Sequence, residues 1–187
     1  MTGTPLDLGR PVSGDVIELI LDDHRRFEAL LRQLRDSSSD RDAVRQALSA
    51  LHVAHAEAEE KQVYPSLRRE RAIDDQEKQH GEEEHAEGNE ALLAVLELSR
   101  TDTQAFDDAV EELSRLVNHH LTEEELTILN PARTEVSEAT RAKLGDAFVS
   151  ERNAQIDAGC GRIENVRELV TRAKSEGLLD ASEDEKE

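Results

Sequence analysis

The chain has 187 residues, and its 43 acidic against 23 basic side chains give a formal net charge of -20 at pH 7. A surface this negative repels the phosphates of nucleic acid and of anionic lipid, so we expect no nucleic-acid partner and no membrane partner. The single cysteine, Cys160, excludes an internal disulfide, and no apolar run approaches the roughly 18 residues of a membrane span. Since the N-terminus also lacks a secretory profile, these features predict a cytoplasmic protein.

The first predicted helix places one histidine on an apolar face. Residues 1–14 are expected to form an irregular lead-in, after which Asp15 and Glu18 have the spacing of a capping box that opens the helix. His24 shares its face with apolar residues that recur every three or four positions. These residues are Ile17, Ile20, Phe27, Leu31 and Leu34.

A histidine and a glutamate lie together on the second predicted helix. This helix follows a turn at residues 37–40, and Pro65 is expected to end or kink it after Tyr64. His55 and Glu59 are four residues apart, so both side chains project from one face of the helix.

The third predicted helix begins near Asp74 or Asp75 and carries His85 on its inner face, although Gly81 and Gly88 weaken its helical pattern. Further along the chain, a turn at Thr101 to Thr103 precedes a fourth helix.

The fourth helix repeats the second. His120 and Glu124 share an inward stripe of this helix, and Pro131 is expected to close it. Because most turns between these helices are short, residues 15–133 are predicted to form an all-α, up-down-up-down four-helix bundle. The order of polar residues on the four helices is therefore His, His with Glu, His, and His with Glu.

Residues 134–178 are predicted to form a C-terminal helical extension. Gly159 and Gly161 interrupt its helices, and a last helix is expected to end near Gly177. Cys160 is expected to be an exposed bystander, and the acidic residues 179–187 a disordered tail. Apolar residues of the extension would either cap the bundle or form a dimer, so both a monomer and a homodimer stay open.

Six buried polar groups at one level of the bundle predict a metal centre. Uncompensated buried carboxylates and imidazoles would each cost on the order of several kcal/mol, whereas bound cations neutralise them. Four imidazoles and two carboxylates suit two adjacent ions, and nitrogen and oxygen donors favour Fe, Mn or Zn without choosing among them. A buried Glu and His network without metal is the alternative. The predicted ligands are His24, His55, Glu59, His85, His120 and Glu124.

Two positions in this set are ambiguous. Helix geometry favours Glu124 as the partner of His120, whereas counting back from Pro131 favours Glu125, which a π-type distortion would bring inward. His80 is five residues before His85, about 140° around the helix, so it joins the site only if the backbone deviates. The other spare histidines, His52 and His119, are expected to lie behind the ligands or on the surface.

These residues resemble the hemerythrin-like, HHE cation-binding family over roughly residues 15–133. The resemblance rests on four segments, which are residues 23–27 (DHRRF), residues 55–65 (HAEAEEKQVYP), residues 84–87 (EHAE) and residues 119–125 before Pro131 (HHLTEEE). It implies a four-helix bundle around two non-haem iron ions with carboxylate and oxo bridges. It assigns the ligand roles to His24, His55, Glu59, His85, His120 and the Glu124 or Glu125 position.

One departure from the family pattern bears on function. Oxygen-carrying hemerythrins have a fifth histidine one turn from the ligand of helix three, but positions 81 and 89 here are Gly81 and Asn89. This difference argues against a reversible oxygen carrier and for chemistry with O2, H2O2 or NO. The resemblance therefore implies a di-iron protein with a diatomic or peroxide ligand. Whether it is an enzyme stays open: it would be either an oxidoreductase with catalase-like activity or a sensor of O2, NO or iron without turnover.

Overall fold

The computed structural model describes residues 6–179, and this part of the chain is helical with no strand. None of its helices combines the length and the apolar character that a membrane span requires. Within residues 6–179, eight α-helices follow one another, and two π-helical turns, Glu59–Val63 and Glu125–Leu129, join α2 to α3 and α5 to α6. The helices are α1 (Val16–Arg35), α2 (Arg41–Ala58), α3 (Tyr64–Arg69), α4 (Asp75–Glu97), α5 (Gln104–Glu124), α6 (Asn130–Glu135), α7 (Glu138–Asp157) and α8 (Ile163–Glu176).

Aspartate side chains cap the starts of α1, α2 and α4, and one predicted cap was wrong in detail. Asp15 caps α1 by accepting a hydrogen bond from the backbone N–H of Ile17 at 2.9 Å, but Glu18 does not complete a capping box. Glu18 instead accepts a hydrogen bond from Arg133 at 3.1 Å. The reciprocal capping box forms at α4 between Asp74 and Glu77, which confirms the predicted start of that helix.

Pro65 was expected to end or kink the second helix and Pro131 to close the fourth, and neither proline ends its helix, so the predicted closure at Pro131 was wrong. Pro65 and Pro131 lie in the first turn of α3 and α6, and each follows a π-helical turn. A proline ring disturbs a helix because it removes one N–H and crowds the carbonyl of the preceding turn. The wider π turn separates these groups, and a proline at the start of the following α-helix needs no N–H. The chain therefore continues as helix past both prolines.

Contacts join α1 to α2, α2 to α4, α4 to α5 and α5 to α1, which closes a ring of four long helices. Two apolar clusters fill this ring. Phe27, Leu92 and Phe106 belong to one cluster, and Ile20 and Tyr64 belong to the other. Along each of α1, α2 and α5, buried polar residues lie between the two clusters. The up-down order of the four helices stays a prediction.

The C-terminal helices pack tightly onto the ring. A Cβ atom on Gly145 of α7 would lie 1.9 Å from the carbonyl oxygen of Gly14, so only glycine allows this approach. Cys160, expected to be exposed, is only 5% exposed, and its thiol donates to the carbonyl of Ala50 at 3.4 Å. Burial raises the pKa of the Cys160 thiol to about 11, which suits a packing role. Most of the predicted acidic tail, residues 180–187, lies outside the described residues.

Candidate metal centre

Six polar side chains meet in the polar level between the apolar clusters. None of them is more than 5% exposed. α1 and α4 contribute one histidine each, α2 and its π turn contribute a histidine and a glutamate, and α5 contributes a histidine and a glutamate. They are His24, His55, Glu59, His85, His120 and Glu124, which are the six residues predicted as ligands on helical geometry.

These side chains form two triads with the spacing of metal ligands. In each triad, the three potential ligand atoms lie within 4.8 Å of one another. Each triad offers two imidazole nitrogens and one carboxylate, which is a donor set for Fe, Mn or Zn. The first triad is His24, His55 and Glu124, and the second is Glu59, His85 and His120.

The carboxylates of Glu59 and Glu124 each contact histidines of both triads. The two oxygens of Glu59 lie 3.1 Å from Nε2 of His55 and 3.2 Å from Nε2 of His85. Oε2 of Glu124 lies 3.1 Å from Nε2 of His24 and 3.9 Å from Nε2 of His120. A carboxylate in such a position can hold both of two neighbouring cations.

A second set of carboxylates lies behind the histidines. Each imidazole turns Nε2 toward the centre and contacts one of these carboxylates through Nδ1. The four pairs are His24 with Glu125 (2.8 Å), His55 with Asp23 (3.2 Å), His85 with Glu60 (2.9 Å) and His120 with Glu84 (2.9 Å). If Nδ1–H donates to the carboxylate, Nε2 has a free lone pair, which is the tautomer that a metal requires.

The outer carboxylates come from residues adjacent to predicted ligands. Successive helical residues point about 100° apart, so each of four neighbouring pairs sends one side chain to the centre and the other to the histidine of another helix. The pairs are Asp23 and His24, Glu59 and Glu60, Glu84 and His85, and Glu124 and Glu125. The two halves of the bundle, α1 with α2 and α4 with α5, therefore repeat the same arrangement.

Without a cation, protons balance the charge of this cluster. Burial lowers the pKa of His55, but the charge of Glu59 and a hydrogen bond to Asp23 raise it to about 10. Close contacts with the carboxylates of Glu59 and Glu60 likewise overcome burial and raise the pKa of His85 to about 10. Burial raises the pKa of Glu59, yet the two imidazoles hold it well below its usual value.

The residues fit a pair of metal ions. Nε2 of His55, His85 and His120 and Oε1 of Glu59 are buried and have no hydrogen-bond partner of acceptable geometry within residues 6–179. Unpaired buried groups of this kind each cost about 1–3 kcal/mol, more when charged. These atoms belong to the triads, so cations bound there would satisfy all of them at once.

The two ambiguous positions differ in what they contact. Glu124 is the residue that faces the triads, because the π turn begins after it and leaves its four-residue spacing from His120 intact. Glu125 lies outside the triads and contacts Nδ1 of His24. His80 is not brought into either triad; its side chain is 54% exposed, with Nε2 3.6 Å from Glu84.

The two other spare histidines occupy different environments. His119 has a side chain that is 56% exposed and lies 3.5 Å from Glu84. His52 is buried beside Phe27, and its Nε2 has no hydrogen-bond partner among the described residues. Burial and the neighbouring histidines His85 and His120 lower the pKa of His52 to about 3, so it stays neutral.

Two residues beside the centre were not predicted from the sequence. The hydroxyl of Tyr64 donates to Oε1 of Glu124 at 3.0 Å, and burial together with the neighbouring carboxylates raises its pKa well above its ordinary value. Arg152 of α7 donates two hydrogen bonds to Asp23. The sequence offers one hint for Tyr64, since it directly precedes Pro65, but none that separates Arg152 from the surface arginines.

Comparison with known proteins places this arrangement in a family. Neither a search of curated proteins nor a search of solved structures gave a match. One family model matches, that of the Hemerythrin HHE cation binding domain, over residues 15–131. This range contains both triads and all four outer carboxylates. The chain therefore belongs to the hemerythrin HHE cation-binding family.

Proposed function

We propose that this chain holds two adjacent iron ions and uses them to bind or turn over a small oxidant, either O2, H2O2 or NO. One observation carries the proposal: Glu59 and Glu124 each contact a histidine of both triads. A centre for a single ion would not need two carboxylates that reach across. The ring of four helices supports the up-down bundle that the proposal assumes.

Each triad would hold one ion. His24, His55 and Glu124 would bind the first, Glu59, His85 and His120 the second, with both glutamates as bridges. A pair of iron ions supplies reversible two-electron chemistry toward oxygen and peroxide when bound. The donor atoms also suit Mn or Zn, and the preference for iron rests on the family.

The protein side chains would position these ligands and hold protons. The outer carboxylates fix the orientation of the imidazoles, since each accepts a hydrogen bond from Nδ1. Tyr64 keeps a proton on its hydroxyl next to both bridging carboxylates, 3.0 Å from Glu124 and 3.4 Å from Glu59. The apolar clusters on both sides of the centre limit the access of bulk water.

Decomposition of peroxide is the reaction that we favour. Two molecules of H2O2 yield one O2 and two water molecules, so protons move within the site but none is consumed. Tyr64 is placed to orient such a transfer, because its hydroxyl donates a hydrogen bond to Glu124 and its raised pKa keeps its own proton in place. The protein would then be a di-iron oxidoreductase with catalase-like activity.

Iron analysis followed by a peroxide assay tests the proposal. The purified, iron-loaded chain should contain about two iron ions per chain and evolve O2 from H2O2 in large excess over protein. His120→Gln should lower the iron content to at most one ion per chain and abolish O2 evolution, whereas His119→Gln, which alters an adjacent but exposed histidine, should retain both properties. Less than about one equivalent of Fe, Mn or Zn after loading would contradict the proposal and favour a bundle without metal.

Binding or sensing without turnover is the second candidate, and the depth of the centre favours it. Two surface depressions reach the outer residues Glu60 and Glu125, and neither of the two is lined by a triad residue. Such burial slows exchange of ligand and product. A sensor would consume peroxide once per centre, whereas an enzyme would consume it repeatedly.

A further inference from the structure

Arg152 is a buried cation that comes from outside the four helices of the metal centre. It lies on α7 and is fully buried. Its Nε and Nη2 donate to the two oxygens of Asp23 at 2.6 and 2.8 Å, and Nη2 also donates to the carbonyl of Leu8 at 2.7 Å. A buried guanidinium with this many partners has a fixed position, because moving it would leave several charged groups unpaired.

Asp23 connects this guanidinium to the centre. The carboxylate that binds Arg152 also faces Nδ1 of His55 at 3.2 Å, and Arg26 approaches it from solvent at 3.4 Å. A carboxylate shared with guanidinium groups accepts less strongly from Nδ1–H, so it adds less electron density to the imidazole that would bind the metal.

The other half of the bundle has no such cation. The corresponding carboxylate is Glu84, which lies 2.9 Å from Nδ1 of His120. Within residues 6–179, no arginine or lysine pairs with Glu84 or with Glu60. The remaining neighbours of Glu84 are the exposed histidines His80 and His119, at 3.6 and 3.5 Å. The two triads have the same donor atoms but different surrounding charges.

We propose that Arg152, acting through Asp23, makes the two metal subsites unequal. The first cation then occupies the triad of Glu59, His85 and His120, and the second cation occupies the triad of His24, His55 and Glu124 with lower affinity. Arg152 is thus a positioning residue, which changes the metal affinity of His55 through Asp23 without binding metal or substrate itself. This inference rests on the proposed two-ion centre.

The physical basis is repulsion between like charges at low dielectric. Both triads have two outer carboxylates, but one of the pair behind His24 and His55 is neutralised by a guanidinium. A divalent cation in that triad experiences a weaker field of negative charge. Because charges inside a protein are poorly screened, we expect a difference in affinity on the order of tenfold or more.

Titration of the metal-free, full-length chain with Co2+, followed by calorimetry and visible absorption, tests the proposal. Wild-type protein should bind two equivalents in two resolved steps. Arg152→Gln should tighten the second step until the two steps merge, whereas Arg152→Lys retains the charge and should keep them apart. His55→Gln should remove the weak step, and His120→Gln should remove the tight step.

A variant on the opposite half provides an independent test if Arg152→Gln does not fold. Glu84→Gln removes negative charge from behind His120 and should weaken the first step selectively. Three results would each overturn the inference while leaving the two-ion centre intact. They are two binding steps of equal affinity in the wild type, an unchanged difference in affinity between the steps in a folded Arg152→Gln variant, and loss of the weak step in His120→Gln. Binding of fewer than two ions would instead overturn the proposed function and this inference together.

Discussion

The ring of Tyr64 occupies the space beside Gly81, where a Cβ atom would approach ring atom Cε2 to 3.0 Å. Position 81 is one helical turn before His85, and it is one of the two positions, 81 and 89, where the family resemblance implies the fifth histidine of oxygen-carrying hemerythrins. The same tyrosine ring stacks on His85, with 5.8 Å between centroids and 8° between planes. In this packing, a histidine at position 81 and the tyrosine at position 64 exclude each other.

Replacement of Tyr64 by Phe tests the role of the hydroxyl. The ring still fills the space beside Gly81, but Glu124 loses its hydrogen bond of 3.0 Å. Since Oε1 of this buried carboxylate then lacks a donor, although Oε2 still contacts Nε2 of His24, we expect the metal-free protein to lose about 1–3 kcal/mol of unfolding free energy. Urea unfolding in the presence of a chelator measures this loss.

Metal loading provides the control for this variant. Bound cations would take over the charge of Glu124, so the difference between wild type and Tyr64→Phe should shrink in the loaded protein. A metal-free variant as stable as the wild type would show that the phenol contributes nothing to holding the carboxylate.

The periodicity of apolar residues was sufficient to predict the helices that contain the ligands. Helical spacing places His55 and Glu59 side by side whatever the rest of the fold does, and the structure has them 3.1 Å apart. The ends of the helices were not predictable in the same way. Pro65 normally indicates an ending, but the π turn before it removes the steric reason, and nothing local in the sequence indicates that turn.

The outer carboxylates were harder to predict than the ligands. Asp23 and Glu84 lie about 100° off the apolar stripe of their helices, where a charged residue ordinarily faces solvent. They are buried because each contacts a histidine of the neighbouring helix, which depends on how the helices pack. Arg152 is a still more distant case, since 129 residues separate it from Asp23. In a chain with 23 basic residues, no local signal shows that Arg152 becomes buried.

Adjacent glutamates offer a matched test of inner and outer roles. Glu124→Gln removes a carboxylate that reaches both triads, so we expect the variant to retain at most one ion per chain. Glu125→Gln only weakens the hydrogen bond to Nδ1 of His24, so we expect two ions to remain, with affinity about 10- to 100-fold lower. Metal analysis after loading and desalting, together with competition against a chelator, measures both effects.

The other half of the bundle repeats this test. Glu59→Gln should behave like Glu124→Gln, because Glu59 also contacts histidines of both triads. Glu60→Gln should behave like Glu125→Gln, because Glu60 contacts only Nδ1 of His85. Equal loss of metal from the inner and the outer variants would refute the division into bridging and supporting carboxylates.

The stability of the metal-free protein should fall on both sides of about pH 6.5. The pKa values of His55 and His85 rise to about 10 in the folded chain, mainly because Glu59 and the outer carboxylates outweigh burial. Between about 6.5 and 10 the folded chain therefore binds more protons than the unfolded chain, and raising the pH destabilises it. Below about 6.5 the sign reverses for His52, whose pKa of about 3 means that only the unfolded chain gains the proton.

Urea midpoints at about pH 6.5, 8 and 9.5 check the alkaline arm of this prediction. The metal-free protein should lose stability steadily across this range. Protein loaded with Co2+ should lose less, because a bound cation already holds His55 and His85 in the neutral form. A flat profile for the metal-free protein would mean that these imidazoles carry no extra protons in the folded state.

Gly145→Ala tests whether the close approach of α7 to the start of α1 contributes to stability. Alanine favours a helix by about 1 kcal/mol over glycine, so propensity alone predicts stabilisation. The added Cβ would lie 1.9 Å from the carbonyl oxygen of Gly14, a backbone atom that cannot turn away. We therefore expect net destabilisation of about 1–3 kcal/mol, or a melting temperature lower by at least about 2 °C.

Gly177→Ala is the matched control for this substitution. Gly177 ends α8 with a φ of 75° and has no atom within 4 Å of an added Cβ, so its cost is backbone strain of about 1 kcal/mol without any clash. Thermal unfolding of the two metal-free variants separates the effects. If Gly145→Ala is as stable as the wild type, α7 must be able to move away from α1 without loss, and its packing against the bundle cannot be what keeps Arg152 on Asp23.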